Sequence, residues 1–297
     1  MSLALVEAAK NINIAMENFK NTSPLLNNYD YFILDIWGVL HDGSSTYDGA
    51  IDRLKEMKEK GKKICLLSNA PRRAIVVEKL LEKLNITKDL YDFLLTSGET
   101  TFSYLSDYPF GKGSYFYIGP EKDAGLLDGL EYQKTDDASK AKFALVTGFD
   151  DGNYEIASKL PQLEAAVKSN LILICANPDL TVIRKTGEEL LCAGVLAAKY
   201  KELGGKVIYF GKPYDLVYEK VFNLFSCNDL SKILAVGDGI LTDILGANQN
   251  KIDSAFIPGG IFANKLNIKH GDLPDQKLMA EICEQYQASP TFIIGSL

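Results

Sequence analysis

The 297-residue chain predicts an α/β protein in which one unit is inserted into the middle of another. Two observations carry that prediction. Short apolar runs alternate with amphipathic stretches of helical period, and several runs end on a polar or acidic residue, where open parallel sheets place their chemistry. Read as one sheet, the alternation would need about a dozen strands, wider than open sheets usually grow. Residues 102–204 therefore read as a separate α/β unit between a first core segment, 1–101, and a second, 205–297.

Taken in order, residues 3–20 show helical spacing and predict a packed leader helix that Asn21-Thr22-Ser23-Pro24 stops. The apolar run from Tyr31 to Leu34 predicts a central strand ending abruptly on Asp35, before Trp37 and Gly38. Tyr47 to Gly61 reads as a helix and Lys63 to Leu67 as a strand, which makes a βαβ unit. Residues 72–85 predict a helix with Ile75, Val76, Leu80, Leu81 and Leu84 as one stripe, and Phe93 to Leu95 returns as a strand. In the inserted unit, strands are expected at 114–118, 143–147 and 171–175, and helices at 121–127, 153–168 and 188–202. Val207 to Phe210, Ile233 to Val236 and Ala255 to Ile257 then read as strands of the first theme, with helices after Pro213 and Thr242 and a closing strand at Phe292 to Ile294.

Composition narrows the function. A net charge of -7 opposes non-specific binding to nucleic acid or to an anionic membrane surface. Cys65, Cys175, Cys192, Cys227 and Cys283 have no paired spacing and most lie in apolar segments, so a reducing cytoplasm is expected, with neither disulfides nor zinc. No run approaches the ~18 apolar residues of a membrane span.

Two nucleotide motifs fail on inspection. Gly211-Lys212 has no glycine five positions earlier and is followed by Pro213, so it is no phosphate loop of the Walker kind. Gly237-Asp238-Gly239 begins like a dinucleotide fingerprint, yet Thr242 takes the third glycine position and Asp238 would repel a pyrophosphate. That carboxylate would hold a cation. If the strands ending at Asp35 and Asp238 are neighbours, Asp35, Asp238 and Asp243 form an all-oxygen site suited to Mg²⁺. Singly, each residue has a plainer reading: Asp238 and Asp243 as a turn and a helix N-terminal acid, Ser68 as a cap, Lys212 as a surface lysine.

Together and in this order, Asp35, Leu67-Ser68-Asn69, Gly211-Lys212-Pro213 and Val236-Gly237-Asp238 through Asp243 resemble the haloacid dehalogenase superfamily. With Thr96-Ser97-Gly98-Glu99 and Ala176-Asn177-Pro178-Asp179, the chain resembles subclass IIA, which includes nitrophenylphosphatases and sugar or nucleotide monophosphatases. The resemblance implies a Rossmann-like parallel-sheet core with an inserted C2-type α/β cap domain. It implies that Asp35 attacks phosphorus as nucleophile, and that Ser68 and Lys212 hold the phosphoryl charge. Asp35, the backbone carbonyl of Trp37, Asp238 and Asp243 would hold Mg²⁺. Asn69 would contact the substrate or the Asp35 loop, and Asn177, Asp179 and Cys192 would contact the substrate from the cap. The partner it implies is a small phosphorylated metabolite, with a homodimer as the candidate assembly.

One departure stands out. Family phosphatases mostly carry a second Asp two residues after the nucleophile as general acid and base, and this chain has Trp37 there. General acid–base help is worth ~10²–10⁴-fold. His41 is a candidate replacement, with a solvated loop histidine as its plainer reading. Asp42-Gly43 reads as a turn, His270 has no evident partner, and Arg72 and Arg73 read either as steering anions or as solvated side chains. The alternative function is a metal- and phosphate-binding regulatory protein with little catalysis.

Overall fold

The computed structural model describes residues 16–183 and 188–297. Most of the expected leader helix lies outside them, and its tail is not helical: Glu17–Phe19 forms strand β1. There Phe19 packs its ring on Phe292 while the backbone pairs in parallel with Phe292–Ile294, so edge pairing overrides the amphipathic period. Then follow β2 (Tyr31–Leu34), α1 (Ala50–Glu59), β3 (Lys63–Ser68), α2 (Ala74–Lys83), β4 (Phe93–Thr96) and α3 (Ser97–Ser106).

The inserted unit holds β5 (Gly113–Ile118), β6 (Tyr132–Thr135), β7 (Ala144–Val146), α4 (Ile156–Lys168), β8 (Ile172–Cys175), β9 (Thr181–Ile183), β10 (Glu189–Leu191), α5 (Ala193–Glu202) and β11 (Lys206–Tyr209). The chain closes with α6 (Asp215–Phe225), β12 (Ile233–Gly237), α7 (Leu245–Gln249), β13 (Asp253–Phe256), α8 (Ala263–Leu266), α9 (Gln276–Tyr286) and β14 (Phe292–Ile294).

The core sheet is parallel throughout, in the order β1-β14-β13-β12-β2-β3-β4. Its central strands are buried on both faces, as helices on each side require. Phe32 and Leu34 of β2 join one apolar cluster with Leu54, Met57 and Leu81, while Ile33 between them joins another with Val217 and Val221. The sequence direction reverses between β2, which leads to β3, and β12, which leads to β13. A crevice therefore opens beyond the carboxyl ends of that pair. A second parallel sheet, β11-β8-β7-β5-β6, forms the cap, and β9 and β10 make an antiparallel pair.

Three sequence expectations need correction. The strand assigned to the core at 207–210 pairs with β8, so the cap sheet extends past residue 204 to Tyr209. Residues 188–202 are not one helix: Glu189–Leu191 pairs with Thr181–Ile183, and Cys192 N–H continues the ladder to Leu180 O at 2.8 Å. Helix α5 starts only after that bond. On α2, Val77 and Leu81 face the core, whereas Ile75, Val76 and Leu80 are 55%, 48% and 40% exposed. The Glu99 carboxylate accepts from Ala74 N–H at 2.9 Å and from the Arg73 guanidinium, which pins the first turn and sets the rotation of the helix.

Candidate active site

Strand register decides the centre of the site. Val236 lies beside Leu34 in the β2–β12 ladder, so the next residues, Asp35 and Gly237-Asp238, leave the sheet side by side. The π-helical turn Ile240–Ile244 then folds Asp243 back toward them. Carboxylate oxygens of Asp35, Asp238 and Asp243 lie within 4.8 Å of one another, and all three residues are buried. Gly38 permits the convergence. Its φ of 80° suits glycine, and a Cβ there would sit 1.9 Å from Asp238 Oδ2, so the Trp37–Gly38 peptide lies against Asp238.

Lys212 balances part of this charge. Its Nζ donates to Asp35 Oδ1 at 2.5 Å and to Asp243 Oδ1 at 2.7 Å. Burial lowers the ammonium's pKa, but the Asp243 and Asp35 carboxylates outweigh it and hold the group above its ordinary value. Burial drives the Asp35 carboxyl up to about 7, with Lys212 pulling down and Asp243 pushing up. Asp238 is raised well above the carboxylate range by burial, then by Asp35 and Asp243. Three buried carboxylates facing one ammonium leave negative charge uncompensated, and their donors are all hard oxygens. The residues fit a divalent cation of the Mg²⁺ or Ca²⁺ type.

Asn69 links this centre to the cap. Its Oδ1 accepts from Lys212 N–H at 2.7 Å, and its Nδ2 donates to Lys212 O at 3.0 Å and to Asp179 Oδ1 at 2.7 Å. Asn177 Oδ1 accepts from Asp179 N–H at 3.0 Å and so holds the Asn-Pro-Asp turn. Burial pushes the Asp179 carboxyl up to about 6, opposed by the Asn69 bond. Ser68 ends β3, one residue beyond the level of Asp35 on the neighbouring strand, and its hydroxyl accepts from Ala70 N–H at 3.2 Å. Cys192 precedes α5, and burial pushes its thiol up to about 12, so it is a neutral group there.

Other candidates have structural tasks. His41 is buried, and its Nδ1 accepts from Gly43 N–H at 2.9 Å. Burial lowers its pKa, so it is neutral at pH 7 and a poor proton donor. Asp42 accepts from Ser44 and Ser45 N–H as the expected turn. His270 stacks on Tyr47 with ring centroids 3.6 Å apart. Arg72 Nε donates to the buried Asp123 of the cap at 2.6 Å, while Arg73 pairs with Glu99 and lies over the Phe102 ring. Both arginines are committed to anchoring. Sequence reasoning missed Ile261, whose N–H donates to Asp238 Oδ2 at 2.8 Å. The signal was Gly259-Gly260 beyond the strand that neighbours β12.

Residues 32–133 match the family described as haloacid dehalogenase-like hydrolase, and residues 209–294 match a HAD-hydrolase-like family. A crystal structure of a haloacid dehalogenase-like hydrolase from Brucella suis is 32% identical, covers 92% of this chain and 97% of its own, and superposes with a TM-score of 0.77. The chain belongs to the haloacid dehalogenase-like hydrolases. Among this hydrolase's curated relatives, the sugar-phosphatase AraL of Bacillus subtilis is 26% identical over 77% of this chain and 82% of its own. The fold is shared with a 4-nitrophenylphosphatase of Thermotoga maritima, 22% identical over 91% of this chain and 95% of that one, with a TM-score of 0.70. Among the described residues, no helix is long and apolar enough to cross a membrane.

Proposed function

We propose that this hydrolase is a Mg²⁺-dependent phosphatase that acts on a small phosphorylated metabolite through an aspartyl-phosphate on Asp35. It is a phosphoric monoester hydrolase, and its substrate is a sugar phosphate, a nucleotide monophosphate or an activated phosphate. The observation that carries this reading is the meeting of Asp35, Asp238 and Asp243 within 4.8 Å, with Lys212 bonded to the first and last. The sugar phosphatase and nitrophenylphosphatase among its relatives support it.

Asp35, at a strand end in the crevice, is placed to attack phosphorus, and covalent catalysis divides one hard displacement into two easier ones. Lys212 opposes the burial that raises the nucleophile's carboxyl, favouring its ionised form, and faces the charge that spreads over the phosphoryl oxygens. Ser68 adds a hydroxyl at the neighbouring strand end, and Asn69 fixes the Lys212 backbone. Asp35, the Trp37 carbonyl, Asp238 and Asp243 would hold Mg²⁺, which supplies Lewis-acid neutralisation of phosphate charge. Asn177, Asp179 and Cys192 form the cap side that meets the substrate, and the cytoplasm is the expected compartment.

A second reading rests on Trp37, which offers no carboxyl and commits its indole N–H to Ile183 O at 3.2 Å. On that reading the protein binds metal and phosphate as a regulator and turns over little. A Mg²⁺-dependent phosphate-release screen across phosphometabolites separates the two. Release that Asp35→Asn abolishes supports the phosphatase. Mg²⁺-dependent phosphate binding without release over hours supports the regulator.

A further inference from the structure

We propose that Trp37 is a stacking platform that selects substrates with a planar, unsaturated leaving group, foremost aryl phosphates; this rests on the phosphatase reading above. The residue follows Asp35 by two and precedes Gly38, which lies against Asp238, and it is the chain's only tryptophan. Three contacts fix the ring. Its Nε1–H donates to Ile183 O of the cap at 3.2 Å, and the buried His41 ring meets it edge-on, centroids 5.4 Å apart at 73°. Gly43, at φ 93°, lets it lie close, since a Cβ there would be 2.2 Å from Cη2. Yet Trp37 remains 36% exposed. A large aromatic surface is thus held in one orientation and left open to solvent, so a ligand that stacks on it loses no further freedom in the protein.

Apolar side chains also stand exposed beside the site residues in sequence. Leu180, which follows Asp179, is 49% exposed, and Leu241, two residues before Asp243, is 39% exposed. Neither side chain can bond a hydroxyl. The chemistry of departure agrees with the shape. A phenolate leaves as an anion whose conjugate acid has a pKa near about 10, so it needs protonation less than an alkoxide does, and Trp37 donates no such proton. One residue therefore accounts both for the surface offered and for the acid withheld.

The emission of Trp37 reports on this position alone. The Mg²⁺-loaded full chain is titrated with inorganic phosphate, phenylphosphonate and propylphosphonate, following fluorescence and calorimetry. Phenylphosphonate should bind about tenfold tighter than propylphosphonate, since aromatic contacts add to simple burial, and it alone should shift or quench the emission. Calorimetry on Trp37→Ala should show that preference lost, and Trp37→Phe should keep part of it. Equal affinities in the native protein overturn the proposal, as does a preference that survives Trp37→Ala. If Trp37→Ala fails to fold, the native titration and Trp37→Phe still decide. If inorganic phosphate does not bind at all, the phosphatase reading falls and the platform falls with it.

Discussion

Asp35 serves two opposed demands. As the proposed nucleophile it must be ionised, yet burial favours its neutral form and brings the carboxyl up to about 7. Lys212 opposes that rise by bonding Asp35 and Asp243 at once, which couples the charge of the proposed nucleophile to that of the proposed metal site. Asp35→Asn keeps the shape and removes the attacking oxygen's charge, so phosphate release should vanish in a colorimetric assay. Trp37 poses a different question. If the missing acid limits turnover of poor leaving groups, Trp37→Asp should raise kcat on an alkyl phosphate by up to ~10²-fold while changing kcat on an aryl phosphate little. Steady-state kinetics on the pair would measure it, and an unchanged alkyl rate would show that protonation is not limiting.

At the scale of elements, helix α2 and the core–cap anchors show what packing selects from an ambiguous pattern. Leu80 and Leu81 are equally apolar in sequence, but only Leu81 is buried. Leu81→Ala should cost about 2–5 kcal/mol, whereas Leu80→Lys should fall within about 0.5 kcal/mol of the native protein. Urea denaturation of both variants gives the contrast. Arg72, before α2, reaches the cap through Asp123, whose side chain is 5% exposed against 37% for Arg72. Arg72→Ala strands that carboxylate. The half-solvated arginine moderates the loss to about 1–3 kcal/mol, below the about 3–5 kcal/mol of a fully buried pair. Thermal unfolding would register it. Neither the buried face of α2 nor the partner of Arg72 was legible in the sequence, because helical periodicity marks apolar residues without saying which neighbour arrives to cover them.

For the whole molecule, folding gathers acidic groups in the crevice at a cost that depends on pH. Asp35 and Asp238 are both raised by burial, so the folded protein without cation favours their neutral forms. The sign follows from linkage. A carboxyl raised in the folded state contributes stability below its unfolded value, and for Asp35 that contribution is lost as pH climbs through about 7. A divalent cation held there as proposed would bind the ionised forms and reverse the loss. Saturating Mg²⁺ should therefore raise Tm more at pH 8 than at pH 6, by an amount set by concentration over Kd, about 2.7 kcal/mol at a hundredfold excess. Differential scanning calorimetry at the two pH values tests this, and a larger gain at pH 6 would contradict the proposed ligand set.

The sequence by itself determined the α/β class and the order in which Asp35, Ser68, Lys212 and Asp238 arrive. Strand ends and turn residues are local features, written by neighbours along the chain. Tertiary structure alone decided that β2 and β12 are adjacent, so that Asp35 meets Asp238. It also placed residues 206–209 in the cap sheet, made 189–191 a strand and turned the Trp37 indole toward Ile183. A short apolar strand carries no mark of the sheet it will join. Its partner is fixed only when all the faces that must leave water compete for the same space.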